Sequence, residues 1–263
     1  MIPTPIRQVL FTIQKSGTRS LLMGGQACVF YGAAQVSRDV DFLLLADESN
    51  FKKLLLALDE LKARRIAVPP FDPDVLARGH AVHFRCAEGA AAGLRIDLMT
   101  KLRDLPAFGE LWERRTVIGD EEGHEFHLLS VPDLVKAKKT QRAKDWPVIE
   151  ALVSIHYREN SENPNPGWLE FWMGEARSPE LLVELVGRFP LEARRMLAVR
   201  PLLALAVAGD FPLLRAALDA EVREEQEKDR IYWEPLKREM EDFRRAERGG
   251  EYPKSEITPK AAR

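Results

Sequence analysis

Hydrophobic residues recur with two different periods, one helical and one typical of strands, in the first 160 residues. Apolar side chains recur at helical spacing in segments that we predict as helices, namely 5–15, 50–65, 130–142 and 147–159. They alternate or run unbroken in segments that we predict as strands, namely 20–23, 39–45, 80–86, 94–99, 115–119 and 124–129. The last four of these strands form two antiparallel hairpins, because short polar or glycine-bearing segments join them. The pattern predicts an α+β fold.

Turn and cap residues divide these segments. Gly24-Gly25 predicts a turn between a strand and a helix that begins at Gln26. Ser130 is predicted to cap the next long helix in a capping box with Asp133. Pro147 disfavours helical geometry at the residue before it, so a break there is expected.

A polar, proline-rich segment, NSENPNPG at 160–167, predicts a domain boundary. Residues 168–248 show helical spacing without a strand pattern and predict three to five helices, the last of them heavily charged. We therefore expect a catalytic domain at 1–159, a helical domain at 160–248 and a loose tail at 249–263.

Composition narrows the class of protein. Hydrophobic residues make up 45% and charged residues 30%, which is typical of a globular protein with a real core. The net charge of -2 means that any basic binding surface must be local. Cys28 and Cys86 lack zinc-site spacing and are expected to be small buried hydrophobes. With neither a signal peptide nor an apolar run long enough to span a bilayer, we expect a cytoplasmic protein without membrane contact.

Two carboxylates lie side by side at the start of a predicted buried strand. Asp39 and Asp41 are two residues apart, so their side chains point to the same face. Paired carboxylates repel each other unless a cation neutralises them, and hard oxygen ligands suit Mg²⁺ or Mn²⁺. The alternative is a solvated strand end with two surface aspartates.

A third carboxylate lies in a later strand. In LRIDLM at 94–99, Asp97 shares a face with Arg95 and Met99. It could complete the metal site, or it could be an ion-pair partner of Arg95. His83 shares a strand face with Arg85 and could approach the site, although a structural role is the simpler interpretation.

The Gly24-Gly25 pair suggests a phosphate contact. Glycines permit close approach of the backbone to a ligand, and amides at a helix N-terminus favour phosphate. A plain turn is the alternative.

These elements together resemble a known family. A strand, Gly-Gly and a helix, followed by SRDVDF at 37–42 and IDL at 96–98, resemble the DNA polymerase β-type nucleotidyltransferase superfamily. More narrowly, segments 24–44 and 131–152 resemble the bacterial branch that contains AbiEii-like and related toxin–antitoxin nucleotidyltransferases. The resemblance covers 20–155, while 160–263 match no family that we can name.

The resemblance implies a mixed-sheet nucleotidyltransferase fold and two-metal transfer of a nucleotidyl group from an NTP. The ligands of Mg²⁺ or Mn²⁺, and the catalytic residues, would be Asp39, Asp41 and Asp97. The nucleotide would contact Gly24, Gly25, Ser37, Lys136 and Lys139. Gln26 and Gln35 depart from the superfamily, which commonly has a small or hydroxyl residue at the first position and arginine at the second.

The basic stretch at 136–144 has two interpretations. It could be a solvated helix face, or it could contact phosphate or RNA. The branch resemblance favours function for Lys136 and Lys139, expected on one helix face that looks toward Gly24-Gly25 across a cleft. Asp145 could orient a lysine or pair with Arg142.

Two other classes of protein compete with an enzyme. The chain could bind a nucleotide without turnover, or it could be a toxin–antitoxin subunit that binds an antitoxin protein. If it is an enzyme, the acceptor could be tRNA, another RNA, a protein hydroxyl or a small molecule.

Overall fold

A seven-stranded mixed sheet carries the first part of the chain in the computed structural model, which describes residues 4–120 and 123–249. The strands are β1 Ser20–Met23, β2 Asp39–Leu44, β3 Ala63–Arg65, β4 Val82–Cys86, β5 Arg95–Met99, β6 Thr116–Gly119 and β7 Glu125–Leu128. They lie in the order β3-β4-β5-β2-β1-β7-β6. The pairs β2–β5 and β1–β7 are parallel and the other neighbours are antiparallel.

Helices pack around the sheet and then form the second half of the chain. Those of the first part are α1 Thr4–Lys15, α2 Gly24–Phe30, α3 Glu48–Glu60, α4 Pro73–Arg78, α5 Phe108–Glu113, α6 Val131–Lys138 and α7 Trp146–Asn160. Five more follow within the described residues: α8 Pro166–Glu175, α9 Pro179–Arg188, α10 Pro190–Met196, α11 Leu203–Ala208 and α12 Phe211–Arg248. The predicted α+β class with a helical C-terminal region is confirmed.

Local chemistry explains why several helices begin where they do. Ser130 accepts a hydrogen bond from the backbone N–H of Asp133, as the capping box predicted. Asp47 and Asp72 cap α3 and α4 in the same way. Both predicted hairpins are confirmed, although residues 121–122 of the second turn lie outside the described part.

Three predicted boundaries were wrong. The helix expected over 50–65 ends at Glu60, because Lys62 adopts a positive φ of 49° and the chain then pairs with β4 as β3. The expected turn at Gly24-Gly25 is instead the first turn of α2. Helix α6 ends at Lys138 rather than at Arg142, because Lys139 leaves helical geometry with a ψ of 76°.

Helix α12 runs for 38 residues and reaches back to the sheet-bearing part. Its Glu239 lies 2.9 Å from the Nε2 atom of the buried His80. The predicted division at residue 160 stays a prediction, and residues 250–263 of the expected tail lie outside the described part. Among the described helices, none combines the length and the apolarity needed to cross a bilayer.

Candidate metal and nucleotide site

Three aspartates converge on one face of the sheet. Strands β2 and β5 are parallel neighbours, and Asp41 stands directly beside Asp97. One oxygen from each of these residues and from Asp39 lies within 4.8 Å of the others. The opposite face of these strands is buried, since Val40 and Ile96 are fully covered. The predicted convergence of the three carboxylates is confirmed.

Asp41 lies against the start of α2. The backbone N–H of Gly25 donates to its carboxylate. Burial, followed by the negative charges of Asp39 and Asp97, raises the pKa of Asp41 from 3.8 to about 7, although Lys138 and the Gly25 hydrogen bond oppose this shift. A nearby cation would stabilise the charged form of this carboxylate, which its surroundings disfavour.

Asp39 is positioned by Ser37, whose hydroxyl donates to the Asp39 Oδ1 atom over 2.9 Å. Gly25 explains how α2 approaches this segment so closely. A Cβ at Gly25 would come within 2.6 Å of the Ser37 hydroxyl oxygen. The glycine therefore permits contact between the helix start and the segment that carries the aspartate.

Asp97 is an ion-pair partner of Arg95, and it also lies beside the other two carboxylates. Arg95 donates to the Asp97 Oδ1 atom over 2.6 Å, and His83 Nδ1 lies 2.9 Å from the same oxygen. Burial raises the pKa of Asp97, but the hydrogen bonds from His83 and Arg95 outweigh it and leave that pKa below its usual value. Within the described residues, Oδ2 accepts no hydrogen bond, so the ion pair leaves one oxygen for a cation.

A cleft of about 150 Å³ opens beside Asp41 and Gly24. Lys136 and Lys139 also line it, as expected for the basic stretch. The expectation that both lysines occupy one helix face was wrong, because α6 ends before Lys139.

The three lysines of this stretch have different surroundings. Lys139 Nζ lies 2.7 Å from a Glu175 carboxylate oxygen. Lys138 is buried, with its Nζ 3.1 Å from Asp145, and it is the lysine whose charge lowers the pKa of Asp41. Lys136 is exposed along the cleft and forms no ion pair with the described residues.

Asp145 fulfils both alternatives proposed for it. Besides Lys138, it accepts from the Arg142 Nε atom over 2.8 Å. Thr140 donates to the same Asp145 oxygen over 2.6 Å. These contacts explain why the basic stretch folds back tightly after α6.

Helix α12 contributes residues to the cleft that the sequence did not reveal. Asp229, Tyr232 and Trp233 line it, and the Tyr232 hydroxyl is buried without a hydrogen-bond partner in the described part of the chain. The surrounding sequence is a charged helix, and no spacing within it points to a cleft whose other residues lie far upstream in the chain.

One cysteine and two glutamines near the site have different surroundings. Cys28 donates to the Gly24 carbonyl over 3.1 Å, and burial raises the pKa of its thiol to about 11, so it is not a nucleophile. Gln26 is buried, and its Oε1 atom has no hydrogen-bond partner among the described residues. Gln35 is exposed.

Comparison with known proteins defines no family for this chain. No family model matches it, and no curated protein matches it. One similar solved structure is described as a "putative nucleotidyltransferase from H. pylori", with 15% sequence identity and a TM-score of 0.36 over 85% of this chain and 94% of the other. A likeness at this level shows no function.

Proposed function

We propose that this protein is a metal-dependent nucleotidyltransferase that moves a nucleotidyl group from an NTP to a hydroxyl acceptor. The convergence of Asp39, Asp41 and Asp97 carries this proposal. Their donor set fits Mg²⁺ or Mn²⁺, because these ions prefer carboxylate oxygens. The raised pKa of Asp41 supports the same fit, since a bound cation would offset the burial, and then the repulsion by Asp39 and Asp97, that disfavour its charged form.

Bound divalent cations would polarise the phosphates and neutralise charge during transfer. The chain itself would orient the reactants. Gly24 and Lys136 line the cleft and would lie against the triphosphate. Gly25 and Ser37 already donate hydrogen bonds to Asp41 and Asp39, respectively. We therefore assign them to positioning these carboxylates rather than to binding phosphate. Lys139 is neutralised by Glu175 and would contribute less than Lys136.

In the transfer, the acceptor oxygen forms a bond to the α-phosphorus and its proton passes to solvent. The bond from the α-phosphorus to the bridging oxygen breaks, and pyrophosphate leaves with the electron pair. Because this reaction needs no covalent enzyme intermediate, positioning and charge stabilisation carry the catalysis.

A second candidate function is nucleotide binding without transfer. Gln26, whose buried Oε1 atom has no hydrogen-bond partner among the described residues, and the exposed Gln35 favour it, because both depart from the superfamily pattern at the nucleotide. An antitoxin partner stays a prediction from the branch resemblance.

The test is label transfer from each α-³²P-labelled NTP, with Mg²⁺ or Mn²⁺, to total RNA, lysate protein or small-molecule acceptors. We expect label in one acceptor fraction and none with Asp41→Asn. Asp59→Asn is the control, since Asp59 is an exposed surface aspartate. Wild-type transfer by Asp41→Asn would refute the proposal, and tight NTP binding without transfer would support the second candidate.

A further inference from the structure

The open face of the sheet carries a row of arginines that begins at the aspartates. The strand register places Asp39 beside Arg95, Arg95 beside Arg85, and Arg85 beside Arg64. Directly paired residues on neighbouring strands point to the same face. One aspartate and three arginines therefore form a single row across β2, β5, β4 and β3, with steps of about 4.8 Å between strands.

Sheet packing holds this row in place. Ala63, Phe84 and Ile96, the alternate residues of the same strands, are buried on the other face. A register slip would turn these apolar residues outward, so the arginines cannot change faces.

The outer arginines are not neutralised. Arg64 and Arg85 are exposed, and neither forms an ion pair with the described part of the chain. Like charges directly opposite each other destabilise a sheet. Arg95 is paired with Asp97. The two neighbouring arginines that form no ion pair among the described residues, Arg64 and Arg85, therefore carry the inference that an anionic ligand binds along this row.

The row and the cleft lie on different sides of the carboxylates. Asp41 and Gly24 line the cleft, whereas the arginine row begins beside Asp39. A transferase that joins two substrates needs separate approaches to one centre. If the cleft holds the NTP, the row is the approach of the acceptor.

We propose that the acceptor is a single-stranded nucleic acid whose backbone phosphates lie along Arg95, Arg85 and Arg64, with its terminal hydroxyl at the aspartates. This inference rests on the proposed function. Regularly spaced guanidinium groups match a chain of repeating phosphates, which they contact with two parallel hydrogen bonds. The row offers no aromatic side chain for base stacking, so binding depends on the backbone and tolerates different sequences.

The experiment measures anisotropy of fluorescein-labelled oligo-rU, oligo-rA and oligo-dT with the full chain, without NTP, over a series of KCl concentrations. Arg64→Ala/Arg85→Ala should raise the Kd by at least about tenfold, because it removes two charged contacts. The slope of log K against log salt should fall by about 1.4, at 0.7 per phosphate contact on a single strand. Arg194→Ala/Arg195→Ala removes the same charge from exposed positions of α10 and should change neither quantity.

Two further measurements keep the result interpretable. Arg85→Lys should retain the salt slope but weaken binding. It keeps the positive charge but loses the planar guanidinium group, which can form two parallel hydrogen bonds to a phosphate. Thermal stabilisation by Mg²⁺ and NTP should be unchanged in the double variant, which shows that the fold and the NTP site are intact.

Several outcomes would overturn the inference. These are no oligonucleotide binding by the wild type, equal losses in the α10 control, and competition by polyglutamate as strong as by RNA, which would indicate an acidic peptide instead. If arginine-dependent binding is found but no NTP binds, the proposed function fails while the nucleic-acid surface stands. Preference between oligo-rU and oligo-dT separates RNA from DNA.

Discussion

Gly24 lies directly against the Asp41 carboxylate, so closely that a Cβ at residue 24 would overlap it. Gly24 also has a positive φ of 66°, which other residues adopt with strain. The start of α2 and the central aspartate thus fit together only because residue 24 has no side chain. The Gly-Gly pair therefore shapes the carboxylate site itself.

Gly24→Ala is expected to destabilise the protein and to disrupt the site. The left-handed backbone alone costs about 1–2 kcal/mol, and the added methyl group must also displace Asp41. Thermal unfolding should show a lower Tm, and stabilisation by Mg²⁺ and NTP should be lost. Gly187→Ala is the control, because a Cβ there meets nothing within 4 Å and alanine favours the helix. Normal label transfer by Gly24→Ala would show that the carboxylate tolerates displacement.

The raised pKa of Asp41 predicts how stability depends on pH. Without metal, the folded state holds a proton on Asp41 up to about pH 7, whereas the unfolded chain releases it near 3.8. The free energy of unfolding therefore falls progressively as the pH rises from about 4 to about 7. The full cost is roughly 4 kcal/mol at 1.36 kcal/mol per pKa unit.

Asp41→Asn removes this cost, so the metal-free variant should have a higher Tm than the metal-free wild type at pH 8. The two should converge toward pH 4. Adding Mg²⁺ should raise the Tm of the wild type and leave the variant unchanged. A difference in Tm that is independent of pH would mean that the Asp41 carboxyl is not the titrating group.

The lysines of the basic stretch are predicted to differ. Lys136→Ala should raise the KM for NTP about tenfold with little change in kcat, because it removes a cation that is exposed in the cleft. Lys139→Ala should instead lower the Tm, since it leaves the mostly buried Glu175 with only the longer, 3.5 Å ion pair to Arg177 among the described residues. Lys144→Ala, an exposed neighbour, serves as the control. Equal small effects of all three variants would indicate only a solvated surface.

Strong local patterns made most of the fold predictable. The apolar runs of β1 and β2, the hairpins and the Ser130 cap each depend on residues close together in sequence. The same-face rule for Asp39 and Asp41, applied again at Asp97, was enough to predict a shared site. It required only that β2 and β5 be neighbours, which the structure confirms.

The rest depended on tertiary contacts. Strand β3 is three residues long, and its pairing with β4 determines it more than its own composition does. The end of α6 follows from the contacts of Lys138, Thr140 and Arg142 with Asp145, which no helical periodicity reveals. The arginine row exists only once four strands are placed in register. The wall of the cleft formed by α12 arises from a helix far along the chain.

Asp229 joins α12 to the loop that lines the cleft. The buried carboxylate accepts from the Gln141 backbone N–H over 3.0 Å and from the Trp233 indole over 3.1 Å, and it lies 3.4 Å from Arg103 Nε. Asp229→Ala removes an acceptor from all three groups, so we expect a loss of about 3–5 kcal/mol of stability. Because Gln141 follows the cleft residues Lys139 and Thr140, the KM for NTP should rise more than kcat falls.

Glu234→Ala is the matched control for Asp229→Ala, because Glu234 lies on the same helix but, among the described residues, pairs only with exposed arginines. Its Tm and kinetics should stay close to those of the wild type. Asp229→Glu separates charge from position: it keeps the carboxylate but moves it by one methylene group. Asp229→Glu could be as stable as the wild type and still have the raised KM of Asp229→Ala. In that case α12 acts on the nucleotide cleft through the placement of the loop after α6. If Asp229→Ala lowers the Tm and leaves KM unchanged, the contact supports the fold alone, and α12 has no part in nucleotide binding.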